Sequence, residues 1–331
     1  MHIGSTYPVT DLGTDPGVLR EFAQGVESMG YQELYLSEHV LGADLSARPD
    51  WRPYNPFVEG PGAPVYDHTY PFLEPFVAFG FLAAATSRLV LGTGVLVLGM
   101  RQTVLVAKQA AIADVLSGGR IVLGIGSGWN DVEYEAMGVD FRTRGKRVEE
   151  QVALLRALWT REAVTFKGKW HAVTAAGINP LPVQRPIPIW LGGTSAAVVE
   201  RAARLGDGYY PGGLPNEAGA ERLDRLRRIA REAGRDPAAI AVIGATTQGP
   251  REPEAMVASA LAWERLGATH VTIRTSSHPV VWRRGAATAS AAVEKHLQAL
   301  SRIKAAWDKR GQSPPGLSWG HHANPETQRP A

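Results

Sequence analysis

Residues 88–129, RLVLGTGVLVLGMRQTVLVAKQAAIADVLSGGRIVLGIGSGW, decide the fold. The apolar run Leu89–Leu98 is interrupted by Gly92 and Gly94 and followed by Gly99. A segment apolar on both faces suits a parallel strand covered on each side. Over Thr103–Leu116, Val104, Ala107, Ala111, Ile112 and Val115 recur at helical spacing, with Lys108 and Asp114 between them. Gly118-Gly119 stops that helix, and Ile121–Ile125 begins a second buried strand. This is a βαβ unit, since an antiparallel pair would need no helix between its strands. Both strands end in glycine, where parallel α/β folds hold ligands.

The same alternation extends in both directions. Upstream lie a strand at His2–Ser5, a helix capped by Thr14 or Asp15 with Pro16 in its first turn, and a strand at Glu33–Ser37. The stretch from Leu41 to Tyr70 carries five prolines and the aromatics Trp51, Tyr54, Phe57 and Tyr66. A loop this long is functional or disordered, and its aromatics predict a packed lid over a site. Phe72–Ala85 reads as helix. Downstream come a helix at Arg144–Trp159, a hairpin at Thr165–Thr174 around Gly168, and strands at Ile189–Leu191, Gly208–Tyr210, Ala239–Ala245 and His270–Arg274. Helices are expected at Ser195–Leu205, Glu217–Ala233, Glu254–Leu266 and Ala287–Trp307.

Eight strands, each followed by a helix, predict an α/β (β/α)8 TIM barrel with inserted loops, one domain over residues 1–311. Residues 312–331 read as a disordered tail. An open doubly wound sheet alternates in the same way. Its dinucleotide fingerprint is missing, because GIGSGW puts Trp129 where the motif needs its last glycine.

The chain has 331 residues, 44% of them hydrophobic and 20% charged, with a formal net charge of +3. That is enough apolar material for a sizeable core. No cysteine is present, which excludes disulfides, thiolate metal sites and thiol catalysis. The opening MHIGSTYPVTDLG lacks the regions of a signal peptide, so a cytoplasmic protein is expected. Arginines crowd one helix around Arg222–Arg231, but interspersed acids and the lack of an aromatic stripe argue against nucleic acid. No apolar run is long enough to span a membrane.

In a barrel, the site forms at the carboxyl ends of the strands. Those ends read Ser5–Tyr7, Ser37-Glu38-His39, Gly94-Val95, Gly126-Ser127-Gly128-Trp129, Gly192-Gly193-Thr194-Ser195, Tyr209-Tyr210, Gln248 and Arg274. Three are glycine-rich, which lets a flat ligand or a phosphate approach the backbone. Gly192–Ser195 enters a helix whose free N–H groups suit a phosphate. Glu38-His39 places a carboxylate beside an imidazole able to carry a proton. Glu38, His39, Asp67 and His68 are a weak metal set without a tight motif, and no metal is expected. No GxSxG motif is present for serine chemistry.

These residues carry a resemblance. The segments LGTGVLVL, RQTVLVAKQAAIADVLSGGRIVLGIGSGWNDVEYEAMG, RTRGKRVEEQVALLRALWT, NPLPVQRPIPIWLGGTS and AARLGDGYYP resemble the luciferase-like superfamily of flavin and deazaflavin enzymes, and within it the actinobacterial F420-dependent oxidoreductases. The resemblance implies a barrel, usually a homodimer, with coenzyme F420 or FMN across the carboxyl ends of its strands. It implies a non-proline cis peptide at Gly94-Val95, behind the ring. Ser37, Glu38 and His39 would line the ring's edge, with His39, helped by Glu38, managing a proton. Thr93, Gly94, Val95, Gly126, Ser127, Gly128 and Trp129 would flank the ring, and Gly192, Gly193, Thr194 and Ser195 would bind phosphate. Sugar-phosphate members carry Asp-His after the second strand and Glu after the fourth. Here those places hold Glu38-His39 and Trp129, so neither that substrate nor that acid transfers. The expectation is an F420-dependent oxidoreductase acting on a small organic substrate. An FMN-dependent monooxygenase and a non-catalytic F420 carrier are the alternatives.

Overall fold

The structure, a computed structural model, describes residues 1–55, 60–61, 65–246, 252–276 and 289–309. Eight strands form its centre: β1 His2–Thr6, β2 Glu33–Leu36, β3 Val90–Thr93, β4 Ile121–Gly126, β5 Ile189–Gly192, β6 Gly208–Tyr210, β7 Ala241–Ala245 and β8 His270–Ile273. Each pairs in parallel with its sequence neighbours. β8 pairs with β1, so the sheet closes into a cylinder. The expected (β/α)8 barrel is the observed one.

Eight helices follow the strands: α1 Pro16–Ser28, α2 Pro75–Ala85, α3 Thr103–Ser117, α4 Arg144–Thr160, α5 Ala196–Leu205, α6 Glu217–Glu232, α7 Pro253–Arg265 and α8 Ala289–Asp308. Asp15 caps α1, its side chain accepting from the Val18 N–H at 2.9 Å, and Pro16 opens the helix. Gly118, at φ +70, ends α3. Among the described residues, no helix is long and apolar enough to cross a membrane.

The main core lies between helices and strands, and a smaller one fills the cylinder with Tyr35, Val122, Trp190, Tyr210 and Ile243. Inward positions alternate along each strand, so the polar side chains of His270 and Thr272 on β8 share that interior face. The hairpin expected around Gly168 pairs Val164–Lys167 with Ala172–Ala176.

Three local expectations change. The long third strand splits: Leu91 and Gly92 face Ile121 and Val122, whereas Leu96 and Val97 face Ile125 and Gly126. One extra residue therefore stands on this side, a bulge, and a cis peptide joins Gly94 to Val95 within it. Helix α2 begins three residues late, because Glu74 caps it and Pro75 opens it; Phe72 is left in the lid. On α3 the stripe facing inward is Val106, Ala107, Ala110, Ala111 and Ala113, which leaves Val104 46% and Val115 39% exposed. Small alanines let the helix lie close to the barrel. Gln248 and the stretch 312–331 lie outside the described residues, as do 56–59 and 62–64 of the lid.

Candidate active site

Just beyond β2, Glu38 is buried while Ser37 and His39 on either side of it are half-buried. Glu38 turns into the wall, where Arg101 Nη2 donates to its Oε1 at 2.5 Å and the Val97 N–H donates to its Oε2 at 2.7 Å. Arg101 also donates to Glu74 at 2.9 Å. Glu38 thus ties the bulged segment and the start of α2 to the end of β2. It does not pair with His39.

The partner of His39 is Glu133, 94 residues away. His39 Nδ1 donates to Glu133 Oε2 at 2.9 Å, while the backbone N–H groups of Val40 and Leu41 donate to Oε1 at 2.6 and 3.4 Å. Glu133 sits in the first turn of a short helix, Asp131–Ala136, capped by Asn130, and its side chain is 1% exposed against 15% for His39. A carboxylate accepting from Nδ1 fixes the tautomer with its proton there. That leaves Nε2 as the nitrogen able to exchange a proton.

The described part of the lid closes on this pair. Tyr66, Phe72 and Trp129 have ring centroids 4.2, 5.0 and 5.5 Å from the imidazole, in tilted and edge-on arrangements. Asn130 Nδ2 donates to the Tyr66 hydroxyl at 2.8 Å, and that hydroxyl donates to Leu41 O at 3.3 Å. Burial first, then the Glu133 charge, hold the Tyr66 hydroxyl well above the usual phenol range, so it stays protonated.

Across the rim, Val95 is the centrepiece. A Cβ on Gly192 would lie 2.7 Å from one Val95 methyl, and a Cβ on Gly126 would lie 2.8 Å from the other. Two of the glycines expected to bare backbone for a ligand therefore make room for Val95. Gly124, beneath them, could not carry a side chain at all, since its Cβ would lie 2.0 Å from Thr93 O. The Thr93 hydroxyl is buried and donates to Gly124 O at 2.6 Å. Ser37, Gly94, Val95, Ser127, Gly128, Trp129, Gly192, Gly193 and Thr194 are half-buried and Ser195 is exposed. Gly128 and Gly193 take φ +68 and +142, which favour glycine. Ser195 caps α5 without a side-chain hydrogen bond to the helix; the Val198 N–H donates to its carbonyl at 3.0 Å, which leaves the Ser195 hydroxyl and the N–H groups of Ala196 and Ala197 for an anion.

Glu133 and Asn130 were missed by sequence reading. The run NDVE has the spacing of a helix capping pair, and that local reading hides a side chain that reaches another loop. The other strand ends do not join the rim pair: Arg274 makes no ion pair among the described residues. Asp67 and His68 do not converge with Glu38 and His39. Among the described residues, the group with converging ligand atoms is instead His2, Glu33 and His270.

The sequence profile of the luciferase-like monooxygenase family matches residues 4–318. An uncharacterized protein of Mycobacterium tuberculosis is 40% identical over 189 residues, 56% of this chain and 65% of that protein. An F420-dependent glucose-6-phosphate dehydrogenase of Kineococcus radiotolerans is 35% identical over 198 residues, 59% of this chain and 52% of its own length. An FMNH2-dependent dimethylsulfone monooxygenase of Pseudomonas fluorescens is 36% identical over 160 residues, 47% and 43% of the two chains. The chain thus spans less than two thirds of the length of these curated relatives. Among solved structures, a monooxygenase from Streptomyces bottropensis superposes with a TM-score of 0.69 at 18% identity, covering 91% of this chain and 98% of that one. The coenzyme F420-dependent tetrahydromethanopterin reductase of Methanopyrus kandleri superposes at 0.67 with 14% identity and the same coverage. At such identities these two likenesses speak for the fold alone.

Proposed function

The chain belongs to the luciferase-like monooxygenase family, and on that premise we propose that it is an F420-dependent oxidoreductase acting on a small organic substrate. The observation that carries this reading is the His39–Glu133 pair, set at the edge of an open rim with Nε2 left for proton exchange. The rim residues fit a flat ring with a phosphate tail. Val95 offers an apolar seat, Trp129 lies beside His39, and the start of α5, whose Ser195 side chain makes no hydrogen bond to the helix, suits the phosphate.

When bound, the deazaflavin supplies hydride transfer without productive oxygen activation. The chain's own residues supply the rest. His39 Nε2 would give a proton to the substrate heteroatom in reduction, or take one in the reverse direction; with the hydride that the bound cofactor would supply or accept, two electrons and two protons are exchanged in all. Glu133 holds Nδ1–H and stabilises the imidazolium formed in the oxidative direction. Tyr66, Phe72 and Trp129 exclude water from the imidazole. Ser195 and the N–H groups of Ala196 and Ala197 would hold the cofactor phosphate, and Glu38, through Arg101 and Val97, positions the bulge. The exposed apolar residues Val104, Leu105, Val115 and Leu116 on α3, with Val77 on the adjacent α2, support a homodimer. Light scattering tests the assembly.

The Kineococcus relative supports F420; the Pseudomonas relative supports the second reading, an FMN-dependent monooxygenase. Fluorescence titration separates them. The expected result is F420 binding in the micromolar range, with weaker FMN binding. Tight FMN binding without an F420 response, together with oxygen uptake by the reduced FMN complex, would establish the second reading instead.

A further inference from the structure

At the amino-terminal end of the barrel, His2, Glu33 and His270 meet from β1, β2 and β8. In register, His2 lies beside His270 and Gly4 beside Glu33. Glu33 Oε1 is 3.3 Å from His270 Nε2 and 3.8 Å from His2 Nδ1, and one ligating atom of each residue lies within 4.8 Å of the others. All three residues are buried. The far side of two of them is already held. The Tyr35 hydroxyl donates to Glu33 Oε2 at 2.8 Å, and Thr269 Oγ1 lies 2.7 Å from His270 Nδ1. Gly4 clears the space, for a Cβ there would stand 2.8 Å from Glu33 Cβ and 3.2 Å from its Oε2. Glu33 Oε1 itself accepts no hydrogen bond.

We propose that this cluster is a metal site for a divalent transition ion of the Zn2+ class, placed where the first, second and last strands close the barrel. Two imidazoles and one carboxylate suit Zn2+ and its neighbours in the first transition row, and suit Mg2+ or Ca2+ poorly. Hydroxyl partners behind Glu33 and His270 are of the kind that orient ligands toward an ion. The ion would offset the charge of a carboxylate that is otherwise costly to ionise in this interior. It would also cross-link strands from opposite ends of the chain. The site is independent of the chemistry at the opposite rim.

The test uses the untagged full chain, stripped with a chelator and dialysed. ZnCl2 is titrated by calorimetry, CoCl2 is followed by visible absorption, and MgCl2 serves as control. The expected result is one Zn2+ per chain, a raised Tm, a Co2+ d–d band and no Mg2+ response. His270→Gln and Glu33→Gln should each weaken Zn2+ binding at least about tenfold, while the double variant His321→Ala/His322→Ala keeps it. Should His270→Gln fail to fold by circular dichroism, His2→Gln, at the end of its strand, carries the same test. Absence of one-to-one binding by the folded wild type overturns the proposal. So does full affinity in the folded floor variants, or loss of binding in the tail variant.

Discussion

Each end of the barrel sets histidine against a buried glutamate, and the two constructions diverge in what the carboxylate receives. At the rim, Glu133 accepts from His39 and from two backbone N–H groups, and the His39 side chain keeps 15% of its surface exposed. At the floor, Glu33 accepts one hydroxyl, from Tyr35. Burial there pushes the Glu33 carboxyl up to about 8 and, with smaller effects from His2 and the chain's amino terminus, pulls His270 down to about 3. Identical residue types thus make a hydrogen-bonded, partly exposed pair at one end and a buried cluster with fewer donors at the other. Donor supply and access to solvent decide which.

The sharpest way to break this contrast is to remove the imidazole at each end. His39→Ala should lower turnover by about 10²–10⁴-fold, with F420 affinity and Tm nearly unchanged. His270→Ala should lower Tm and leave turnover per folded molecule intact. Steady-state kinetics beside thermal melts separate these outcomes; equal turnover losses in both variants would erase the distinction.

Two rim glutamates, Glu38 beyond β2 and Glu133 beyond β4, sharpen it further. Glu38→Gln breaks a buried ion pair with Arg101 and should cost about 3 kcal/mol of stability, leaving the pH profile of kcat in place. Glu133→Gln should cost less stability but lower kcat roughly tenfold or more and displace that profile, because an amide can donate to Nδ1 and favour the wrong tautomer. A displaced profile in Glu38→Gln alone would reverse the assignment. Next in size is the Val95 seat. Gly192→Ala should destabilise by about 1–3 kcal/mol through overpacking, and Val95→Ala in the same chain should restore most of it. Denaturant melts of the single and double variants read this directly.

The smallest effect is expected at the floor side, where Glu27 accepts the N–H groups of Ser87, Arg88 and Leu89 as the chain enters β3. Burial works to raise its pKa, and the three backbone hydrogen bonds and the Arg88 charge outweigh it, so the carboxyl sits below its ordinary 4.5. A lowered value means stability that is present above pH 4.5 and lost as pH falls through the folded value. Glu27→Gln should therefore be less stable than wild type at pH 7, by about 1 kcal/mol or less, and the gap should close in acid. A gap that persists unchanged at low pH would contradict this.

The barrel was legible because its signals are local: apolar runs of strand length, glycine stops after helices, and Pro16 behind a capping Asp15. His39 was legible for the same reason, standing at a strand end. Its partner was not. Glu38 is adjacent in sequence but opposite in direction, whereas Glu133 arrives from 94 residues away. Nor could local patterns show that Gly126 and Gly192 serve Val95, since the contact crosses strands and depends on the bulge. The floor cluster escaped notice because His2 and His270 meet only when the last strand pairs with the first.

In the proposed function a planar redox ring rests on the Val95 seat with His39 at its edge. A crystal structure of the chain with F420 bound tests it most directly. The predicted result places the ring against Val95, His39 Nε2 within about 3.5 Å of the space beside the hydride-bearing carbon, and the phosphate at Ser195. F420 bound elsewhere, or a ring held at the rim with His39 turned away from its reactive edge, would contradict the account.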